Sequence, residues 1–387
     1  MASSFNQHPV ARPPTQGEQS AALNSLTKLI RESKAGERAP HESVVNSGIS
    51  DHFRNLVSGL ASWNSVESFE NAWHLGNYVI DRQTGQKSFE PMSIYVRLGM
   101  HFLYYGYGQE AILHLKQTRD ILEYQSKQMG AAYDSAESKA HIEPFINAFH
   151  LRDGLRELIE PDPTKYATFN QFFAREINPL ARPIAEPDDR SVVSSPADCR
   201  LTVFPTVDQA TKYWIKGHGF TIGKLLDDEV LAATLAGGTI AIARLAPQDY
   251  HRWHSPVDGS VHTIKEIPGT YYTVNPQAIN QPGIVDVFCE NRRSVMVISR
   301  KPNNAPIIVV AVGAMLVGSI KYNPGIVSGA DIKRGQCLGA FQYGGSTVIV
   351  LCPRGEMVPD QDLVENSTQQ NCETLVKVGW RIGKGKD

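Results

Sequence analysis

Residues 305–320 read APIIVVAVGAMLVGSI, and the fold turns on whether this run crosses a membrane or lies in a sheet. A spanning helix needs about 18 or more continuous apolar residues. This run is shorter, and Ile307, Ile308, Val309, Val310 and Val312 are β-branched, which suits buried strands. Working outward, GTIAIARLA (238–246), SVMVISR (294–300) and STVIVLC (346–352) have the same character and are separated by Pro, Gly and Asp. No regular helical pattern intervenes, which argues against a doubly wound parallel sheet and for an antiparallel or mixed one.

Upstream the pattern changes. From about 50 to 160 it is helical: AILHLKQTRDILEYQSKQM (111–129) puts Ile112, Leu115, Leu122 and Met129 near one stripe, and HIEPFINAFHLRDGLREL (141–158) repeats the habit with Phe145, Phe149 and Leu155. FLYYGYG (102–108) fits either a pocket lining or helix-packing core. Residues 1–40, rich in Ser, Pro and Gln, read as a loose arm with at most a short helix around LNSLTKLI. The expected fold class is α+β. It comprises a flexible arm (1–40), a helical region (41–160) and a β-rich sandwich or barrel body (161–387). Within the body, SSPADC (194–199) and HSPVDG (254–259) share S-P-x-D, each before a new apolar segment, as two similar turns of a duplicated β structure do.

Composition narrows the function classes. A chain of 387 residues, 41% hydrophobic and 20% charged, has the balance of a soluble globular protein. Its formal charge of −2, without a long Lys/Arg block, supplies no field for nucleic acid. Cys199, Cys289, Cys337, Cys352 and Cys372 are odd in number and lack a CxxC pair, which favours a reducing compartment and gives no support to a zinc site. MASSFNQHPVARPPTQ lacks the basic start and apolar stretch of a secretory signal. A cytoplasmic protein is expected, with any membrane contact peripheral, possible on endomembranes.

Three groups of residues have the chemistry of a site. In QYGGSTVIV (342–350), Gly344 and Gly345 let the backbone bend the Gly345 carbonyl toward the Ser346 hydroxyl, with Thr347 completing the turn. That geometry permits an acyl shift onto Ser346, β-elimination to dehydroalanine and, after water addition and loss of ammonia, an amino-terminal pyruvoyl group. A hydroxyl attacking an external substrate and a plain Gly-rich hairpin are the alternatives, although G-x-S-x-G is absent. In LAPQDYHRWHSPVDG (245–259), His251 and His254 are three apart; in a tight turn both can face one cavity, and one can take the serine proton. No third ligand completes a metal motif. Such a base normally has an orienting carboxylate, which Asp198 in SSPADCR can supply; otherwise it is an ordinary turn aspartate.

These blocks, together with FTIGKLL, PGTYYTVNP, VFCENRR, VAVGAMLVGSI, KRGQCLGAFQYGGSTVIVL and ENS…ETLVKVG, are similar in order and spacing to the pyruvoyl-dependent phosphatidylserine decarboxylase family over roughly residues 165–380. The likeness is to its eukaryotic GGST type, known from fungi. The resemblance implies a zymogen that cuts itself between Gly345 and Ser346. Ser346 becomes the pyruvoyl cofactor, Asp198, His254 and Ser346 form the cleavage triad, and His251 binds substrate and serves decarboxylation. Cys199 stands where many members have glycine. The resemblance also implies a β chain (1–345) and an α chain (from 346) that stay associated, within a homodimer.

Phosphatidylserine is the substrate this resemblance favours, giving phosphatidylethanolamine and CO₂. A free L-amino acid, aromatic ones included, is the alternative suggested by the aromatic cluster at 102–108, and a non-enzymatic β-rich binding module is the reading of another class.

Overall fold

The computed structural model describes residues 76–91, 130–213, 220–270, 286–313, 320–342 and 346–385. The arm at 1–40, the aromatic cluster at 102–108 and the helical stripe at 111–129 lie outside the described residues. Two strands come first, β1 (Gly76–Asp81) and β2 (Lys87–Pro91). The body begins with β3 (Val192–Ser194), β4 (Cys199–Phe204) and β5 (Thr239–Leu245). It continues through β6 (Arg252–His254), β7 (Gly259–Ile267), β8 (Arg293–Arg300), β9 (Pro306–Gly313), β10 (Ile320–Tyr322), β11 (Asp331–Ile332) and β12 (Cys337–Phe341). It closes with β13 (Ser346–Cys352), β14 (Val358–Pro359), β15 (Glu373–Val376) and β16 (Arg381–Lys384).

Ten of these strands form one sheet in the order β11-β7-β8-β9-β13-β5-β4-β15-β1-β2, flanked by the three-stranded sheets β10-β12-β6 and β14-β16-β3. Pairing between described strands is antiparallel except for β1 against β15. The opening run is therefore a strand, β9, over Pro306–Gly313. Residues 314–319 lie outside the described residues, and among the described residues no helix is long and apolar enough to cross a membrane.

The centre of the large sheet is covered on both faces, which is why its strands read as unbroken apolar runs. Along β13, alternation sends Ile349 and Leu351 into one core with Leu225, Leu226, Val287 and Phe288 from short helices. Val348, Val350 and Cys352 enter the other core, with Trp253, Leu338, Phe341 and Ile382 from the two small sheets. A third core lies in residues 130–177, where Phe145, Phe169, Phe172 and Phe173 are wholly buried with Leu155 beside them and Phe149 packed against the cluster.

The helical reading of 41–160 does not hold at 76–91, which is a hairpin joined to the large sheet. Local turn chemistry decides it. Asp81 Oδ1 accepts the amides of Gln83 and Thr84, and Gly85 has φ +70°, so DRQTGQ closes a reversal that no helix contains.

The S-P-x-D echo belongs to a larger structural repeat. β3, β4, β5, β13, β14, β15 and β16 follow the same path as β6 to β12. In each unit the short strand before S-P-x-D pairs with the strand after a K-x-G turn, and the strand after S-P-x-D pairs with the strand before it. The second unit is inserted between β5 and β13 of the first, and the units join where β9 pairs with β13. The two S-P-x-D turns bond each other reciprocally, Ser194 N to Pro256 O at 2.9 Å and His254 N to Pro196 O at 2.7 Å. Each aspartate receives a K-x-G amide: Val378 N on Asp198 at 2.8 Å, Arg334 N on Asp258 at 3.0 Å.

Candidate active site

Ser346 is the first residue of β13, where the chain returns from the inserted unit. It lies opposite Gly313 on β9 and Leu245 on β5, and is wholly buried. Because β5 ends beside it, the segment that follows β5, residues 246–251, folds over the same end of the sheet. That segment is a closed turn. Asp249 N donates to Ala246 O at 2.9 Å, and Asp249 Oδ2 accepts Ala246 N at 2.7 Å. Arg175 braces it from the aromatic core, donating to the carbonyls of Gln248 at 3.1 Å and Asp249 at 3.0 Å.

His251 leaves this turn with no solvent exposure, its ring stacked 4.0 Å from Phe173. Its Nε2 lies 2.9 Å from Ala246 O. A carbonyl only accepts, so Nε2 carries the hydrogen and Nδ1 is left as an acceptor. Nδ1 lies 3.4 Å from Ser346 Oγ, a long contact of the kind that tightens as a reaction proceeds. Burial, and then the nearby Arg175 charge, lower the His251 pKa to about 3, so the imidazole is neutral at ordinary pH with its Nδ1 lone pair free.

The turn is tied to a buried network of charge. Arg200 on β4 binds Asp249 through Nη1 and Glu90 on β2 through Nε and Nη2, the Nε contact being 2.7 Å. Burial raises the Asp249 pKa and Arg200 opposes the shift. Arg244, opposite Thr347 in the β5–β13 register, binds Glu373 at 2.7 Å. Thr347 Oγ1 is buried without a hydrogen-bond partner among the described residues.

The other sequence candidates lie in different contacts. Asp198 is held by the Arg182 guanidinium, 2.6 Å from Nη2, and by Val378 N; it is hydrogen-bonded to neither histidine. Asp198 thereby closes the K-x-G turn of its unit, as Asp258 does in the other. His254 lies on β6, where Nδ1 is 2.8 Å from Gly335 O and Nε2 is 3.2 Å from the Tyr250 hydroxyl. Its partner in the β6–β12 register is Cys337, whose thiol also takes an Arg252 contact at 3.9 Å. Ser346 is therefore brought to His251 and not to the His254–Asp198 pair. Gly344 and Gly345 lie outside the described residues.

Sequence reasoning passed over Asp249, Arg175 and Phe173. Asp249 stands two residues before His251 in LAPQDYH, and Phe173 and Arg175 share the FFAR stretch, so proximity in the chain pointed to the first. Only the fold brings the second stretch to the same ring.

The described chemistry is a buried serine facing a neutral imidazole, with a glycine immediately before the serine. Comparison with known proteins matches this region as a whole. The family model described as phosphatidylserine decarboxylase covers residues 169–384. The chain is 43% identical over 309 residues to phosphatidylserine decarboxylase proenzyme 3 of Schizosaccharomyces pombe, covering 80% of this chain and 31% of that protein. Over 306 residues it is 40% identical to proenzyme 2 of Saccharomyces cerevisiae, covering 79% of this chain and 26% of that one. It spans less than a third of these fungal relatives. The phosphatidylserine decarboxylase proenzyme of Fusobacterium nucleatum is 33% identical over 308 residues, which cover 80% of this chain and 97% of the bacterial protein. With its GGST serine at the head of the central strand and a match to nearly the full length of a bacterial member, the chain belongs to the phosphatidylserine decarboxylase family.

Proposed function

We propose that this chain is a pyruvoyl-dependent decarboxylase of phosphatidylserine that makes its own cofactor by cutting between Gly345 and Ser346. The observation that carries the reading is Ser346 itself: buried, first in the central strand, and 3.4 Å from a neutral imidazole. His251 Nδ1 takes the hydroxyl proton as Oγ attacks the Gly345 carbonyl carbon. The Gly345–Ser346 C–N bond breaks, the nitrogen gains a proton, and an ester links Gly345 to Oγ. Loss of the Ser346 Cα proton expels the Gly345 carboxylate and leaves dehydroalanine. Water addition and loss of ammonia then give the pyruvoyl group.

The surroundings fit such a group. The position is screened from water, and the spare Thr347 hydroxyl is a buried donor next to it. Once formed, the group supplies an electron sink for a substrate amine whose carboxylate leaves as CO₂. Around it His251 holds a proton position beside residue 346, Phe173 keeps that ring in place, and Arg175 fixes the turn that carries it. The family resemblance gives the cut to His254 with Asp198; the distances favour His251, and single substitutions separate the two assignments. Phosphatidylserine is the substrate because the relatives above carry it in their names.

The test is purified protein resolved by denaturing electrophoresis and then offered phosphatidylserine in mixed micelles beside serine, tryptophan, tyrosine and phenylalanine. Expected are a small fragment starting at residue 346 that resists Edman sequencing, CO₂ release and phosphatidylethanolamine. Ser346→Ala should remain whole and inactive. An uncut chain with full activity overturns the cofactor, and turnover of a free amino acid with none of the lipid overturns the substrate.

A further inference from the structure

We infer that Glu90, on the amino-terminal hairpin, is a positioning residue for His251; the inference rests on the self-cutting reading above. Glu90 stands on β2, the outermost strand of the large sheet, far in sequence from the site. An unbroken series of polar contacts joins it to Ser346. Arg200 spends Nε and Nη2 on Glu90 and Nη1 on Asp249. The same Asp249 oxygen that meets Arg200 also accepts Ala246 N at 2.7 Å, which holds the 246–249 turn. Ala246 O receives Nε2 of His251 at 2.9 Å, and this contact sets the tautomer that leaves Nδ1 free for Ser346.

The Arg200 side chain is 4% exposed, so its charge needs both carboxylates. Without Glu90, two of its donors are left unpaired in the interior. The nearest remaining anion is Asp249, and a bidentate Arg200–Asp249 pair draws Oδ2 away from Ala246 N. The turn then loosens, Ala246 O leaves Nε2, and the imidazole is no longer confined to one tautomer. Arg82 provides a control on the same hairpin. It anchors the hairpin to Asp360 and Asp362, each at 2.7 Å, and touches no member of the Glu90 series.

The experiment reads His251 directly. In the uncut Ser346→Ala chain with ¹⁵N-labelled histidine, long-range proton–nitrogen NMR should give His251 as the Nε2–H form, and Glu90→Gln should introduce the Nδ1–H form. Arg82→Ala should leave the His251 signals unchanged. In the chain with Ser346 intact, Glu90→Gln should slow fragment appearance about tenfold or more, with little further effect once Asp249→Asn is present, as for two residues acting through one path. Should Glu90→Gln fail to accumulate folded, Glu90→Asp keeps the charge but is one methylene short of the Arg200 fork, leaves the Arg200–Asp249 contact in place and is read in its stead. Unchanged His251 signals in the folded variant, or an equal change with Arg82→Ala, overturn the inference. Failure of the intact chain to cut overturns the self-cutting reading instead, while the NMR signals still report on Glu90.

Discussion

At the residue scale the two histidines of one motif have different surroundings, and their roles should separate. His251 is sealed in, stacked on Phe173 and aimed at Ser346, whereas His254 is partly exposed among Tyr250, Cys337 and the Gly335 carbonyl. His251→Ala should slow fragment formation by about 10²–10⁴-fold, the usual worth of a general base, and His254→Ala far less, as followed by electrophoresis after expression. The reverse order would give the cut to His254. A second prediction concerns Cys337. Burial alone raises a thiol pKa, but the neighbouring His254, helped by Arg252, outweighs it and brings Cys337 down to about 7. Cys289 is also partly exposed, yet burial and then Asp286 push its thiol up. Iodoacetamide labelling read by mass spectrometry should therefore rise at Cys337 with a midpoint near pH 7 while Cys289 stays slow, and His254→Ala should move the Cys337 midpoint upward.

At the element scale β13 joins the candidate site to the cores that hold the sheet together. It bonds β9 on one edge and β5 on the other, and its side chains enter both main cores. β15 and β16 from the same carboxy-terminal segment pair with β4 and β3. A cut before Ser346 therefore leaves the small fragment in the middle of the sheet, hydrogen-bonded to strands of the large one. The fragments should co-elute in size-exclusion chromatography under native conditions and part only when denaturant unfolds the whole; a small fragment lost on native dilution would contradict this. The hairpin β1–β2 shows the limit of periodic reading at this scale. Its strands are short, and the reversal is held by one aspartate and one glycine.

For the whole molecule, the repeated unit explains where the site is. In the second unit β8 passes to β9 through residues 301–305, whereas in the first the equivalent step from β5 to β13 is opened to admit the whole second unit. Residues 246–251 leave and Ser346 returns at that opening, so His251 and the serine meet at the seam between units. The paired K-x-G turns support both sides of the seam. Gly335 and Gly379 have φ of +78° and +83°, and Ile184 packs against both. Alanine at either position should destabilise the uncut Ser346→Ala chain by at least about 1–2 kcal/mol, the cost of the left-handed conformation to a residue with a Cβ. Urea denaturation checks this, and a neutral Gly379→Ala would remove the support assigned to that turn.

The sequence by itself determined the β-rich class, the strands at 306–313 and 346–352, the S-P-x-D echo, the GGST serine and the closely spaced pair His251 and His254. These are signals of local composition and spacing, where β-branching, period and turn chemistry act within a few residues. Tertiary structure decided which histidine meets Ser346, because His251 and His254 are equally available in the chain and only the closed 246–249 turn and the Phe173 face separate them. It also gave Asp198 to Arg182 and a K-x-G turn, and set Asp249, Arg200 and Glu90 behind the imidazole ring. Those contacts join positions 16 to 180 residues apart. Their partners are chosen by which buried charges and amides the packed strands leave facing one another, and no local pattern encodes that choice.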